Sequence, residues 1–192
     1  MKKILTFLIF LTLHNKNFSA DIAFTLYQKD IKPLIEYLNN GNDVNTELCT
    51  DPWNASRPPL HCAIIYNFLE AAELCIMRGV NVNWRSHDGC NIFDALWILS
   101  EDEILPLLKL LMQHQANINM QGYLNRTPLM NAVNRNQIKV AKLLLENKAD
   151  IRTIKDNDDK SALGYIESLE MLEIFKNYIS AEENMVINYV LR

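Results

Sequence analysis

The sequence predicts an all-α solenoid, a stack of short helix-turn-helix units joined by finger loops. Three observations carry that prediction. The segment from Asn125 to Arg152 reads as one complete unit of two helices and a loop. Weaker copies recur at a period near 33 residues on two unlike anchors. A unit this small cannot bury its own apolar face, so its copies must lean on one another.

The clearest unit sets the pattern. Thr127 is a good helix N-cap, and Pro128 follows at the first helical position, where its missing N–H costs nothing. Leu129, Ala132 and Val133 form a short apolar stripe, and Asn134 to Gln137 are polar and turn-forming. Ile138, Val140, Ala141, Leu143, Leu144 and Leu145 give a second stripe at helical spacing. Aligning the turn after each second helix places Gly41, Gly79, Gln115 and Lys148 in register, with steps of 38, 36 and 33. Aligning the start of each first helix places Pro58, Asn91, Thr127 and Ser161 in register, with steps of 33, 36 and 34.

Pro58-Pro-Leu-His-Cys-Ala63 and Thr127-Pro-Leu-Met-Asn-Ala132 follow a Thr-Pro-Leu-His-x-Ala start. On these motifs and this period the chain resembles the ankyrin-repeat family over nearly all of residues 21–180. The resemblance implies an ankyrin-repeat solenoid of about five repeats, degenerate caps included, at roughly 21–45, 58–83, 91–119, 127–152 and 161–180. A C-terminal tail, 181–192, follows as a short extra helix or a frayed end.

Taken in order, the first repeat should place helices at about Asp21 to Gln28 and Ile31 to Leu38, with Ile22, Leu26, Leu34 and Leu38 inward. The link from Asn45 to Pro58 is five residues longer than its counterpart from Asn83 to Asn91, an enlarged finger holding Cys49 and Trp53. In the second repeat Asn67 stands where the family puts a glycine between its helices, and Asn136 does so in the fourth. Asparagine is the best non-glycine residue for a left-handed turn. The third repeat is degenerate: Asn91-Ile-Phe-Asp replaces Thr-Pro-Leu-His, and extra residues fall around Ser100 to Glu103. It is expected to be the weak link of the stack. The fifth repeat starts at Ser161 and reads as a cap.

Residues 1–20 differ in kind. Lys2 and Lys3 precede an apolar run from Ile4 to Leu13, and Ser19-Ala20 offers a small residue for cleavage. This is the layout of a secretory signal peptide cut after Ala20, too short to span a bilayer, which takes about 20 apolar residues. The expected location is therefore secreted or periplasmic, with no stable membrane insertion once the signal is removed. The formal charge is −4, and the part after residue 20 carries 16 basic and 23 acidic residues. An acidic body without a Lys/Arg cluster argues against nucleic acid as a partner.

Chemistry-bearing groups are sparse. His61 takes the family's histidine position, where the resemblance implies a hydrogen bond to neighbouring loop backbone. No His has a Cys, Asp or Glu at a spacing that suggests a triad or a metal site, and no Gly-rich phosphate loop is present. Asp156, Asp158 and Asp159 read as a solvated acidic loop. The chain is accordingly expected to be no enzyme, with no cofactor and no metal. Cys62 and Cys75 read as small buried hydrophobes. Cys49 and Cys90 fall in consecutive fingers and are a candidate disulfide.

Function then rests on binding. The resemblance implies a partner surface along the finger loops and the concave face. On this chain the finger candidates are Trp53, Trp84, Arg85, His87, Tyr123 and Leu124, rich in the residue types that anchor interfaces. The expectation is an exported, monomeric, non-catalytic module that binds a protein. Its alternatives are a regulator or protector of a partner enzyme in the same compartment, or an effector delivered to another cell.

Overall fold

The computed structural model describes residues 18–53 and 55–191. The expected signal segment lies outside the described residues except for its last three. The first helix, α1 (Phe18–Tyr27), runs across the Ala20–Asp21 bond where cleavage is expected. The chain forms two compact units, one ending at Val82 and the other starting at Asn83.

The unit ending at Val82 holds α1, α2 (Lys32–Asn39), a hairpin of β1 (Cys49–Thr50) and β2 (Ser56–Arg57), α3 (Pro59–Ile65) and α4 (Leu69–Met77). α1 packs on α2, α3 and β1, and α3 packs on α4. Ile22, Leu26, Leu34, Leu60 and Ile64 are fully buried between them. Lys29 and Asn67, at the turns inside the two helix pairs, have φ of 62° and 50°. Gly41 and Gly79, after the second helices, have φ of 80° and 81°. Each turn thus reverses the chain through one left-handed residue, which is what asparagine and glycine tolerate.

The unit starting at Asn83 begins with a 3-10 helix (Ile92–Ile98) in place of the third repeat's first helix, then α5 (Glu101–Gln113). α6 (Pro128–Asn134) and α7 (Ile138–Glu146) are the strongest unit of the sequence. A short 3-10 turn (Tyr123–Asn125) precedes α6, and a third 3-10 helix (Ala162–Tyr165), α8 (Leu169–Phe175) and α9 (Ala181–Val190) complete it. First helices form one row, with α6 between the 3-10 helices Ile92–Ile98 and Ala162–Tyr165, and second helices form another, α5 against α7 against α8. Leu107, Leu108, Leu111, Leu129, Leu144 and Phe175 fill the space between the rows. The C-terminal tail is a helix: Ser180 caps α9, and Arg152 holds its first turn through a two-pronged ion pair with Glu183 at 2.8 and 3.1 Å. Trp97, on the 3-10 helix Ile92–Ile98, is buried.

Side-chain staples tie neighbouring repeats. Asn45 Oδ1 accepts from Asn81 N at 2.7 Å in the first unit. In the second unit Asn83 Oδ1 accepts from Asn117 N at 2.7 Å and Asn119 Oδ1 from Asp150 N at 2.8 Å. The degenerate third repeat contributes a tie of its own. Its extra residues deliver Glu101 Oε1 to Lys139 N at 2.6 Å and Val140 N at 3.2 Å, in the first turn of α7. Gln137, at the N-cap of α7, makes no capping bond itself, so a carboxylate from the preceding repeat meets the positive end of that helix. Ser100 and Glu103 close a capping box on α5.

Candidate functional site: the finger tips

Every finger closes in the same way. The backbone N–H of Asp51 donates to the carbonyl of Ala55, Ser86 to Cys90, Gly122 to Arg126 and Asp156 to Lys160, at 2.8 to 3.1 Å. Each bond encloses three residues, and those residues are the tip. The last tip residue is left-handed in Gly89 (88°), Asn125 (57°) and Asp159 (59°). The five extra residues of the first finger therefore do not enlarge its tip. They fall on either side of it and build the β1–β2 stem.

In the first unit the tip presents Trp53, 62% exposed. Below it, Asp51 is buried and accepts from Trp53 N and Ala55 N, both at 2.9 Å. Its other oxygen takes Arg57 Nε at 3.0 Å, and Arg57 is buried too. This finger is braced from within: one carboxylate organises the turn and pairs with the opposite strand.

In the second unit the tip at 123–125 presents Tyr123, 61% exposed, and Leu124, 41% exposed. Leu124 has φ 58° and ψ 22°, a left-handed conformation that leucine rarely adopts and that costs of order 1–3 kcal/mol. Neighbours on both sides hold it there. Before it, Asp94 Oδ2 accepts from Tyr123 N at 3.1 Å while also accepting from Asn91 N at 2.8 Å. After it, Asn157 N donates to Leu124 O at 3.2 Å, and Asn157 Oδ1 accepts from Asn125 Nδ2 at 2.6 Å. Gln121 Nε2 bonds both Asn125 O and Lys155 O at 2.7 Å. Gly122 is required by close approach: a Cβ there would lie 2.2 Å from Asp94 Oδ2.

Asp94 occupies the histidine position of the repeat motif. The resemblance assigns that position a bond to neighbouring loop backbone, and Asp94 makes such a bond to the next finger. What looked like decay of the third repeat is thus a working contact in other chemistry.

The following finger is built on Asp156. Burial pushes its carboxyl up, but bonds from Tyr165 Oη, Lys160 N and Asp158 N, with the Arg126 guanidinium beside it, outweigh burial and hold it below the usual carboxylate range. Arg126 also lies over the Tyr165 ring at 4.9 Å. Asp156 is therefore an internal scaffold, and only Asp158 and Asp159 of the acidic loop face solvent.

The remaining candidates divide. His87 is exposed at the tip of its finger. Arg85 is exposed in the stem, its Nε bonded to Gly89 O at 3.3 Å. Trp84 is half-buried in the same stem and is not a tip residue. All four cysteines are free thiols, and Cys49 is buried in the core of its own unit. Asp51, Asp94, Gln121 and Asn157 are the positioning residues that the sequence reading did not find. Among the described residues no cluster of His, Cys, Asp or Glu is placed to hold a metal ion. Among them, too, no helix is long and apolar enough to cross a membrane.

Stacked helix pairs with stapled fingers define a helical repeat protein built for protein contacts. The family described as "Ankyrin repeats (3 copies)" matches residues 60–156 and 96–183, and the chain belongs to the ankyrin-repeat family. The match starts at Leu60 and leaves the first repeat and its finger outside it. Among curated relatives, "Putative ankyrin repeat protein L371" of Acanthamoeba polyphaga mimivirus is 28% identical over 129 residues, 67% of this chain and 16% of that protein. A "Putative ankyrin repeat protein" of Rickettsia bellii is 25% identical over 165 residues, 73% of this chain and 24% of that one. The mouse "B-cell lymphoma 3 protein homolog" is 30% identical over 108 residues, 56% and 23%. The chain spans at most about a quarter of the length of these three. The family's repeats are a protein–protein interaction module, and its members are typically non-catalytic.

Proposed function

We propose that this chain is an exported, non-catalytic, monomeric binding protein that holds a protein partner with apolar finger tips, chiefly Tyr123 and Leu124. One observation carries the proposal: Leu124 is kept left-handed and exposed by bonds from the fingers and repeats on both sides. Strain maintained by surrounding structure concentrates at binding and active sites. A tip fixed before contact also loses little freedom on binding. Trp53, on the self-braced first finger, is a second apolar anchor of the same kind.

Export is supported by Lys2, Lys3, the apolar run Ile4 to Leu13 and the small Ser19-Ala20 pair. The acidic body favours a protein over nucleic acid. The partner can be an enzyme that the chain regulates or protects outside the cytoplasm, or a target in another cell.

Photo-crosslinking tests the proposal. A photoreactive residue in place of Tyr123, in the full chain made by its own cells, should give a discrete protein adduct. The same residue in place of the exposed Lys109 should give none. Export is read from the same sample, as a mature chain that begins at Asp21 in the secreted or periplasmic fraction. Equal adducts from both positions, or none from 123, contradict the choice of site.

A further inference from the structure

In the unit that starts at Asn83 the finger tips at 87–89, 123–125 and 157–159 hold no Lys or Arg. The cations of these fingers stand in the stems, and most are turned onto the fingers themselves. Arg85 Nε donates to Gly89 O at 3.3 Å. Arg126 lies 3.5 Å from the buried Asp156 carboxylate, and Lys160 Nζ lies 5.4 Å from the centre of the Tyr165 ring. Lys155 is exposed in its stem.

The acids are distributed the other way. Asp158 and Asp159 are tip residues, and both are exposed. Their backbone amides are pinned, Asp158 N to Asp156 Oδ1 at 3.0 Å and Asp159 N to Asp156 O at 3.1 Å. Among the described residues nothing bonds to either carboxylate. This acidic tip is fastened to the apolar one, since Asn157 N donates to Leu124 O at 3.2 Å and Asn125 Nδ2 to Asn157 Oδ1 at 2.6 Å. Tyr123 and Leu124 therefore stand beside two carboxylates that the fold does not neutralise. The preceding tip adds Asp88, which accepts from Ser86 Oγ and Cys90 N.

We propose that the partner segment seated on Tyr123 and Leu124 is basic: an apolar residue with Lys or Arg within a few positions of it, whose cation meets Asp158 and Asp159. The inference rests on the reading of Tyr123 and Leu124 as the binding tip, and it names the chemistry of what that tip holds. Apolar contact at the centre supplies burial, while exposed charges at the rim set orientation and the rate of encounter. An acidic partner would set like charges together at this rim, which costs affinity. The chain as a whole carries the same sign: after residue 20 it has 16 basic and 23 acidic residues, so its field draws cations.

A phage library of random dodecapeptides, panned on the full chain at low salt, tests this without a known partner. The enriched peptides should carry an apolar residue flanked by Lys or Arg. Binding of a synthetic copy of one, read by fluorescence anisotropy, should weaken about threefold to tenfold in the double variant Asp158→Asn with Asp159→Asn, and again at high salt. That variant should fold as the parent does, because both side chains are exposed and asparagine tolerates the φ of 59° at position 159. Tyr123→Ser separates the two readings. Basic peptides weakened by both changes support the proposal. Acidic or uncharged peptides that need Tyr123 overturn the basic partner and leave the tip standing. Basic peptides indifferent to Tyr123→Ser overturn the tip and this inference with it. Basic peptides indifferent to the asparagine changes, or no enrichment at all, overturn the inference too.

Discussion

The fingers at 51–55 and 122–126 close with the same backbone hydrogen bond and both expose apolar side chains, yet they are held in opposite ways. The first stands on its own stem, with Asp51 serving two turn amides and Arg57 across the hairpin. The second has a strained turn and almost no stem, and its shape comes from Asp94 before it and Asn157 and Gln121 around it. A lengthened stem can carry its own scaffold. A short finger takes its scaffold from the stack. Damage to the first should thus stay within one hairpin, while damage to the second should spread along the repeats.

The largest expected effect comes from Arg57→Ala. It leaves the Asp51 carboxylate buried without its cation, which typically costs about 3–5 kcal/mol. Urea denaturation should show the loss, and the double change Asp51→Asn with Arg57→Met should recover much of it. A loss under about 1 kcal/mol would mean that the first finger is not self-braced.

Gly122→Ala should follow, at about 2 kcal/mol, because its Cβ would meet the Asp94 carboxylate at 2.2 Å. Asp94 also closes the capping box at Asn91, so the strain should reach the 3-10 helix of the preceding repeat. A double-mutant cycle with Asp94→Ala reads this coupling. Additive costs would break the contrast between the two fingers.

These ties explain what the sequence could show. The repeat period was legible because capping and turn chemistry are local. Thr127 with Pro128 marks a helix start, and positions 41, 79, 115 and 148 all have positive φ, whether filled by glycine, glutamine or lysine. The acceptors that link repeats were not legible. Asp94, Glu101 and Asn157 are ordinary polar residues until the stack places an amide opposite them. Leu124 carries no local preference for a left-handed turn, so its strain is visible only in the fold. The burial of Cys49 and the half-burial of Trp84 were hidden for a related reason: their loops were recognised as fingers, but which side of a stem faces inward depends on register. The exposure of Tyr123, Leu124 and Trp53 was legible because apolar side chains in loops stand out against a polar background.

The smallest expected change in stability gives the most direct test of the central claim, that the Tyr123–Leu124 tip is strained for binding. Leu124→Gly removes the left-handed penalty along with the side chain. The urea midpoint should stay level or rise, by no more than about 1 kcal/mol in stability, while the adduct formed from a photoreactive residue at 123 disappears. An undiminished adduct in this variant would contradict the account.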